Sequence, residues 1–323
     1  MDQRAIIDWL LQGDISIRCQ TFRDLLGEER PDLQRRITEE GWGARLIACR
    51  NADGTWGRGF YQPKWTSSHY TLLDLRTLEP PRDHPLIKES IQRIAREEKG
   101  GDGGINPSVT IHESDVCVTG MFLSYACYFA TAEEELVSIA DYLLAQRMDD
   151  GGFNCDKSRY GARHSSLHST LSVLEGIEEY LRGGYRYRRK ELSAAAAAAR
   201  EFILHHRLFK SDRTGETIRP EFLKLAFPPR WKYNILRALD YFRAAGLPAD
   251  PRMDDALEVL EAKRRKDGRW PLQAPHPGQV HFAMETPGQP SRWNTLLALR
   301  VLGAYRRNEE DGSTGRPEIG NLH

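Results

Sequence analysis

The chain has 323 residues, 40% of them hydrophobic and 28% charged, with Lys+Arg and Asp+Glu balanced at 46 each. That is enough chain for one large domain or two small ones with a substantial buried core. Zero net charge and a pI near 7.2 argue against a general nucleic-acid binder, which carries a basic excess.

The N-terminal stretch Met1 to Leu11 lacks the cationic start, apolar middle and small-residue cleavage site of a signal peptide. No apolar run reaches bilayer length, so no transmembrane segment is expected. Five cysteines, at 19, 49, 117, 127 and 155, are too few and too scattered for a disulfide framework. A cytoplasmic protein in a reducing compartment is the expectation.

In chain order, apolar periodicity predicts pairs of helices. The first pair covers about 2–12 and 15–27, with Asp14 placed to cap the second helix. The following pairs are about 32–50 with 66–79, 84–98 with 115–131, and 133–147 with 166–183. The last are about 191–209 with 230–245 and 251–265 with 292–307. The segments from Asp115 and from Leu167 are apolar almost all round, as helices buried on both sides are, whereas Pro85–Arg96 is amphipathic. Buried helices alternating with amphipathic ones imply an inner ring inside an outer ring. The fold class expected is all-α, an (α/α)6 toroid in a single domain over residues 1–307, with 308–323 as a flexible tail. An open superhelix is the competing arrangement.

The repeat is punctuated by Asp-Gly loops: Asp53-Gly54-Thr55-Trp56, Asp102-Gly103-Gly104-Ile105, Asp150-Gly151-Gly152-Phe153 and Asp267-Gly268-Arg269-Trp270. Each precedes an inner helix, so the loops gather at one mouth of the ring, where helix N-termini favour negative charge. Superposed, the inner helices place His69, Asp115, His168, Trp231 and Trp293 in one slot. Thr71, Cys117, Thr170, Tyr233 and Thr295 follow two residues later.

That alignment brings Asp115, Cys117 and His168 together. Thiolate, imidazole and carboxylate suit zinc, and three protein ligands leave a fourth position open. His164, His69, His112 and Cys155 are candidates for a fourth ligand or a supporting position. The alternative is that Asp115 is an N-cap and Cys117 a small core residue. Trp231, Tyr233 and Trp293, with Trp65 and Phe227, are expected to wall the cavity. Trp56 and Trp270 are expected to pack between repeats instead.

The Asp-Gly-x-Trp loops and paired helices, from about Gly41 to Tyr305, resemble those of the terpenoid cyclases and protein prenyltransferase β subunits. Asp115-Val-Cys117 followed by His168 is similar to the prenyltransferase zinc set. The resemblance implies a zinc-dependent transferase acting on an isoprenoid or other apolar substrate in the central cavity. A class II cyclase is not expected, because Cys117 and Val118 stand where its Asp-x-Asp-Asp acids would be. The family's cations before the zinc-binding Asp are missing between Asn106 and Ser114, and Val118 replaces the Tyr after the Cys. Replacement anion-binding groups are Arg163, Arg207, Lys210, Arg213 and Arg292, with Arg58, Lys64 and Arg230 further candidates. Other readings are a metal- or ligand-binding toroid without chemistry, and zinc-assisted hydrolysis with Glu113 or His164 as general base. The sequence leaves a partner subunit open.

Overall fold

The computed structural model describes residues 3–306 apart from 109 and 274; the tail expected beyond 307 lies outside the described residues. The helices are α1 (Gln3–Leu10), α2 (Ile15–Leu26), α3 (Pro31–Arg36), α4 (Gly41–Ala48), α5 (Ser68–Leu78), α6 (Pro85–Glu97) and α7 (Val116–Tyr128). They continue as α8 (Glu133–Ala145), α9 (Asp156–Tyr160), α10 (Leu167–Arg182), α11 (Arg189–His205), α12 (Ile235–Ala244), α13 (Asp254–Ala262) and α14 (Arg292–Tyr305). Strands β1 (Trp270–Pro271) and β2 (Pro290–Ser291) pair antiparallel between the last two helices. No helix of the described residues is long and apolar enough to cross a membrane.

The ring expected from the apolar pattern is the one that forms. Helices α2, α5, α7, α10, α12 and α14 make the inner layer, and α14 packs on α2 to close it. Every residue of α7 is buried, which accounts for its apolar composition on all faces. Helices α7 and α10 approach closely at two glycines. A Cβ on Gly120 would lie 2.7 Å from the Val173 Cα, and one on Gly176 would lie 2.3 Å from the Gly120 carbonyl oxygen.

The Asp-Gly loops are one device used four times. The glycine after each Asp has positive φ, from 80° to 91°, a conformation that costs glycine nothing. The residue two positions later sends its backbone N–H to a hydroxyl of the following inner helix. Trp56 donates to Ser68 (2.9 Å), Ile105 to Thr119 (2.9 Å), Phe153 to Thr170 (3.0 Å) and Trp270 to Thr295 (3.0 Å). Trp56 and Trp270, fully buried, also donate their indole N–H to Leu46 and Leu260 carbonyls at 2.7 Å. Both are core residues, and these hydrogen bonds tie the loop to the two helices of its own hairpin.

Two elements differ from the sequence reading. The helix expected over 32–50 is two, α3 and α4, because Gly41 takes positive φ (69°) and Asp14 captures the Trp42 N–H at 2.7 Å. Helix α12 starts at Ile235, not 230, because Asn234 caps it by accepting from the Arg237 N–H. Trp231 and Tyr233 therefore precede a helix rather than open one.

A candidate ligand cleft at the mouth of the ring

The threonine hydrogen bonds set the true register of the repeat. Thr119, not Cys117, is equivalent to Thr170 and Thr295, so Cys117 stands level with His168 while Asp115 is the N-cap of α7. Asp115 accepts from the Val118 N–H at 3.1 Å and faces the Arg159 guanidinium at 3.5 Å. Cys117 donates its thiol to Ser169 Oγ (3.0 Å), which also accepts from the Cys155 N–H (3.2 Å). Ligand atoms of Asp115, Cys117 and Cys155 lie within 4.8 Å of one another. The hydrogen bond between the thiols raises Cys117, which burial raises further, and lowers Cys155.

His168 is not part of that cluster. Its Nδ1 accepts the Tyr233 N–H at 2.8 Å, which leaves the ring proton on Nε2 and fixes one neutral tautomer. Burial, helped by Arg237, lowers its pKa to about 4. A ring whose Nδ1 lone pair is taken and whose Nε2 is protonated has no lone pair to offer, so of the expected Asp115–Cys117–His168 set the structure gathers Asp115 and Cys117, with Cys155 beside them and His168 apart. The His168 ring packs on Trp231 (centroids 5.0 Å apart) and edge-on to Phe222 (5.2 Å).

Trp231 is partly buried, and its indole N–H has no hydrogen-bond partner. The Lys64 and Lys232 ammonium groups lie 5.1 and 5.3 Å from its ring, within cation–π range. Burial lowers the Lys64 pKa. Trp231 borders a cavity of about 530 Å³ that Cys117, Cys155, Asp156, His168 and Arg219 also line. The cavity continues past Ser165, Phe202, His206 and Ile218 into an open cleft of about 1180 Å³. The inner part alone is within the ~300–1,000 Å³ of small-molecule sites.

The other expected site residues go elsewhere. His69 is fully buried among aromatic rings, bonded to the Tyr125 hydroxyl (3.2 Å), and burial lowers its pKa to about 3. His112, Glu113 and His164 are exposed, and His164 borders the outer cleft. Tyr233 is buried with its hydroxyl on the Leu208 carbonyl (2.5 Å), and Trp293 stacks on Phe227 (4.6 Å). Arg207 and Lys210 both pair with Asp255, at 2.5 and 2.8 Å. Arg292 donates to the Trp9 carbonyl at 3.0 Å; Arg163 is exposed and Arg213 borders the outer cleft. Of the candidate anion-binding residues, Lys64 lies beside the Trp231 ring. Lys232, Arg159, Phe222 and Ser169 were not anticipated. Lys232 was open to view as the neighbour of Trp231, whereas Ser169 reaches the cavity, and Arg159 reaches Asp115, only through tertiary folding.

No known protein family matches the sequence, and no curated protein does. Among solved structures, the fold is similar to a polysaccharide lyase. The TM-score is 0.53 at 12% identity, covering 98% of this chain and 100% of that one. It is also similar to a glycosyl hydrolase of family 88 from Bacteroides vulgatus, with TM-score 0.50 at 14% identity, covering 92% of this chain and 96% of that one. These likenesses support the all-α toroid. They overturn the resemblance to terpenoid cyclases and prenyltransferase β subunits, and with it the zinc-dependent prenyl transferase. They give no support to a toroid without chemistry either. The internal reason is the register: the Asp-x-Cys…His spacing does not place His168 with the other two residues.

Proposed function

We propose that this chain processes a carbohydrate, holding an extended, negatively charged saccharide in the cleft at the mouth of the ring. The observation that carries the reading is Trp231, an aromatic face with an unpartnered indole N–H and two ammonium groups beside it, set in an elongated cleft. Aromatic faces stack on the apolar faces of sugar rings, and indole N–H and His168 Nε2–H supply donors for hydroxyls. Lys64 and Lys232 favour an anionic chain over a neutral one. The two structural neighbours, named as a polysaccharide lyase and a glycosyl hydrolase, act in the same direction. Asp156 is the carboxylate that lines the inner cavity and the first choice for proton transfer.

The test is incubation with acidic and neutral polysaccharides, following new reducing ends together with the ultraviolet absorbance of an unsaturated product. New ends with absorbance mean elimination, and new ends without it mean hydrolysis. No cleavage and no binding of any acidic polysaccharide would reject the proposal.

For the metal, we propose Asp115, Cys117 and Cys155 as the ligand set. Two thiols and a carboxylate suit zinc, and a fourth position would face the cavity. Elemental analysis should give one zinc per chain, lost in Cys155→Ser and kept in His168→Ala; metal retained in Cys155→Ser rejects this set. The five free cysteines fit a reducing, cytosolic location.

A further inference from the structure

A second pocket, mostly apolar but with Asp74, Arg230 and His276 in its wall, lies beneath the strap 275–287 and is lined on one side by Trp65. It encloses about 300 Å³ and meets a smaller axial space of about 130 Å³ at Asp74 and Arg230, which line both. Two of the bonds that hold the strap reach α5 and the residues just before it: Trp65 Nε1 donates to the Pro277 carbonyl (2.6 Å), and His281 Nε2 shares a hydrogen bond with Thr71 Oγ1 (2.9 Å). Gly278 permits the contact, since a Cβ there would lie 2.5 Å from the Trp65 indole.

Asp74 and Arg230 are unlike the other ion pairs near the axis. Arg237 reaches Glu175 at 2.6 Å, and Arg300 reaches Asp240 at 2.5 Å and Asp24 at 2.8 Å. Asp74 and Arg230 are equally buried, each side chain 6% exposed, yet stand 3.7 Å apart. That is beyond hydrogen-bond range. Arg230 Nε is buried with no partner, and the Trp65 ring, 4.6 Å from the guanidinium carbon, covers its face without satisfying an in-plane donor. Arg230 also adopts positive φ (55°), a strained backbone for a residue with a side chain. His276, which lines the same pocket, has a buried Nε2 without a partner.

Orphaned polar atoms at this depth are costly unless something completes them. The geometry points to a binding site for a small hydroxy acid, its carboxylate on Arg230 and its hydroxyl donating to Asp74 or His276. The carboxylate supplies the acceptor that Arg230 Nε lacks, in the planar geometry that guanidinium favours. The hydroxyl gives Asp74 a neutral partner in place of a distant cation. Burial raises the Asp74 pKa to about 6 against the pull of Arg230, in keeping with a carboxyl that has no close donor. This pocket is separate from the mouth cleft and does not depend on the saccharide reading.

The test is calorimetric titration of the full chain with lactate and glycerate, using acetate as the acid without a hydroxyl. Lactate or glycerate should bind, acetate more weakly, and natively folded Arg230→Gln should lose about tenfold or more in affinity. Asp74→Asn, which removes the competing negative charge, should bind the hydroxy acid several-fold more tightly. Trp231→Ala should bind it as the parent does, so a failure of the saccharide proposal would leave this result standing. No binding by the parent, or unchanged affinity in folded Arg230→Gln, overturns the site. Should Arg230→Gln fail to fold, unchanged or weaker binding by Asp74→Asn overturns it.

Discussion

At the scale of single residues, partners decide function more than residue type does. His168 and Trp231 sit in ring contact, but the His168 ring is committed through Nδ1 to a backbone N–H, while the Trp231 indole N–H is uncommitted. Trp231→Ala should therefore reduce acidic-saccharide affinity by about tenfold, with the melting temperature nearly unchanged because the residue is only partly buried. Fluorescence titration beside thermal melting checks both halves, and an unchanged affinity would move the binding platform elsewhere. Asp74 carries a pH signature of its own. Its folded pKa, raised to about 6 from 3.8 mainly by burial, lies above the unfolded value, so the folded state binds the proton more tightly. Its contribution is fully present below about pH 4 and is lost as pH rises through 6, a difference of about 3 kcal/mol. The difference in melting temperature between the parent and Asp74→Asn should accordingly shift in favour of the variant between pH 4 and pH 7. A difference that is flat across that window would show that Asp74 titrates normally.

At the scale of elements, the helices and their layers were legible because burial on one side or two leaves a plain trace in composition. The inner helices α7 and α10 read as apolar all round, and the Asp-Gly loops marked where chains turn into the ring. What composition does not carry is register. Asp115-Val-Cys117 invited alignment with His69 and His168, yet the hydrogen bond from Ile105 N–H to Thr119 shifts that copy by two residues. The same limit hid the break between α3 and α4, which depends on Asp14 reaching Trp42 from 28 residues away. It also misplaced the start of α12. The site suffered most: Cys117, Cys155 and Trp231 were nominated and line the inner cavity, with Asp115 beside the two cysteines, but their companions Asp156, Arg219 and Phe222 follow from loop paths no periodicity encodes. Close approach of α7 and α10 has its own test. Gly120→Ala would press a methyl group on the α10 backbone rather than on a movable side chain, so it should destabilise by about 3 kcal/mol or more. Gly303→Ala on α14, where a Cβ meets nothing within 4 Å, should be neutral or slightly stabilising. Equal effects of the two changes in denaturant unfolding would show that the helices can separate at no cost.

At the scale of the whole molecule, a ring must be closed by its ends, and here the closure is electrostatic as well as apolar. Arg300 on α14 is 8% exposed and bridges Asp240 of α12 to Asp24 of α2, so one guanidinium joins the last two inner helices to the first. Burial alone would raise both carboxyls, but the arginines around them, Arg300 included, prevail and hold both below the usual range. Removing Arg300 leaves two buried carboxylates without that cation, a loss of roughly 3–5 kcal/mol for a broken buried pair. Carboxyls with depressed folded pKa values stabilise above their unfolded values near 3.8 and lose that contribution as pH falls. In Arg300→Met the two pKa values should rise, so the penalty should be greatest at neutral pH and shrink on acidification. Unfolding the parent and the variant in urea at pH 7 and pH 4.5 measures this directly. A penalty that is the same at both values would mean that packing of α14 on α2, and not charge, holds the ring shut.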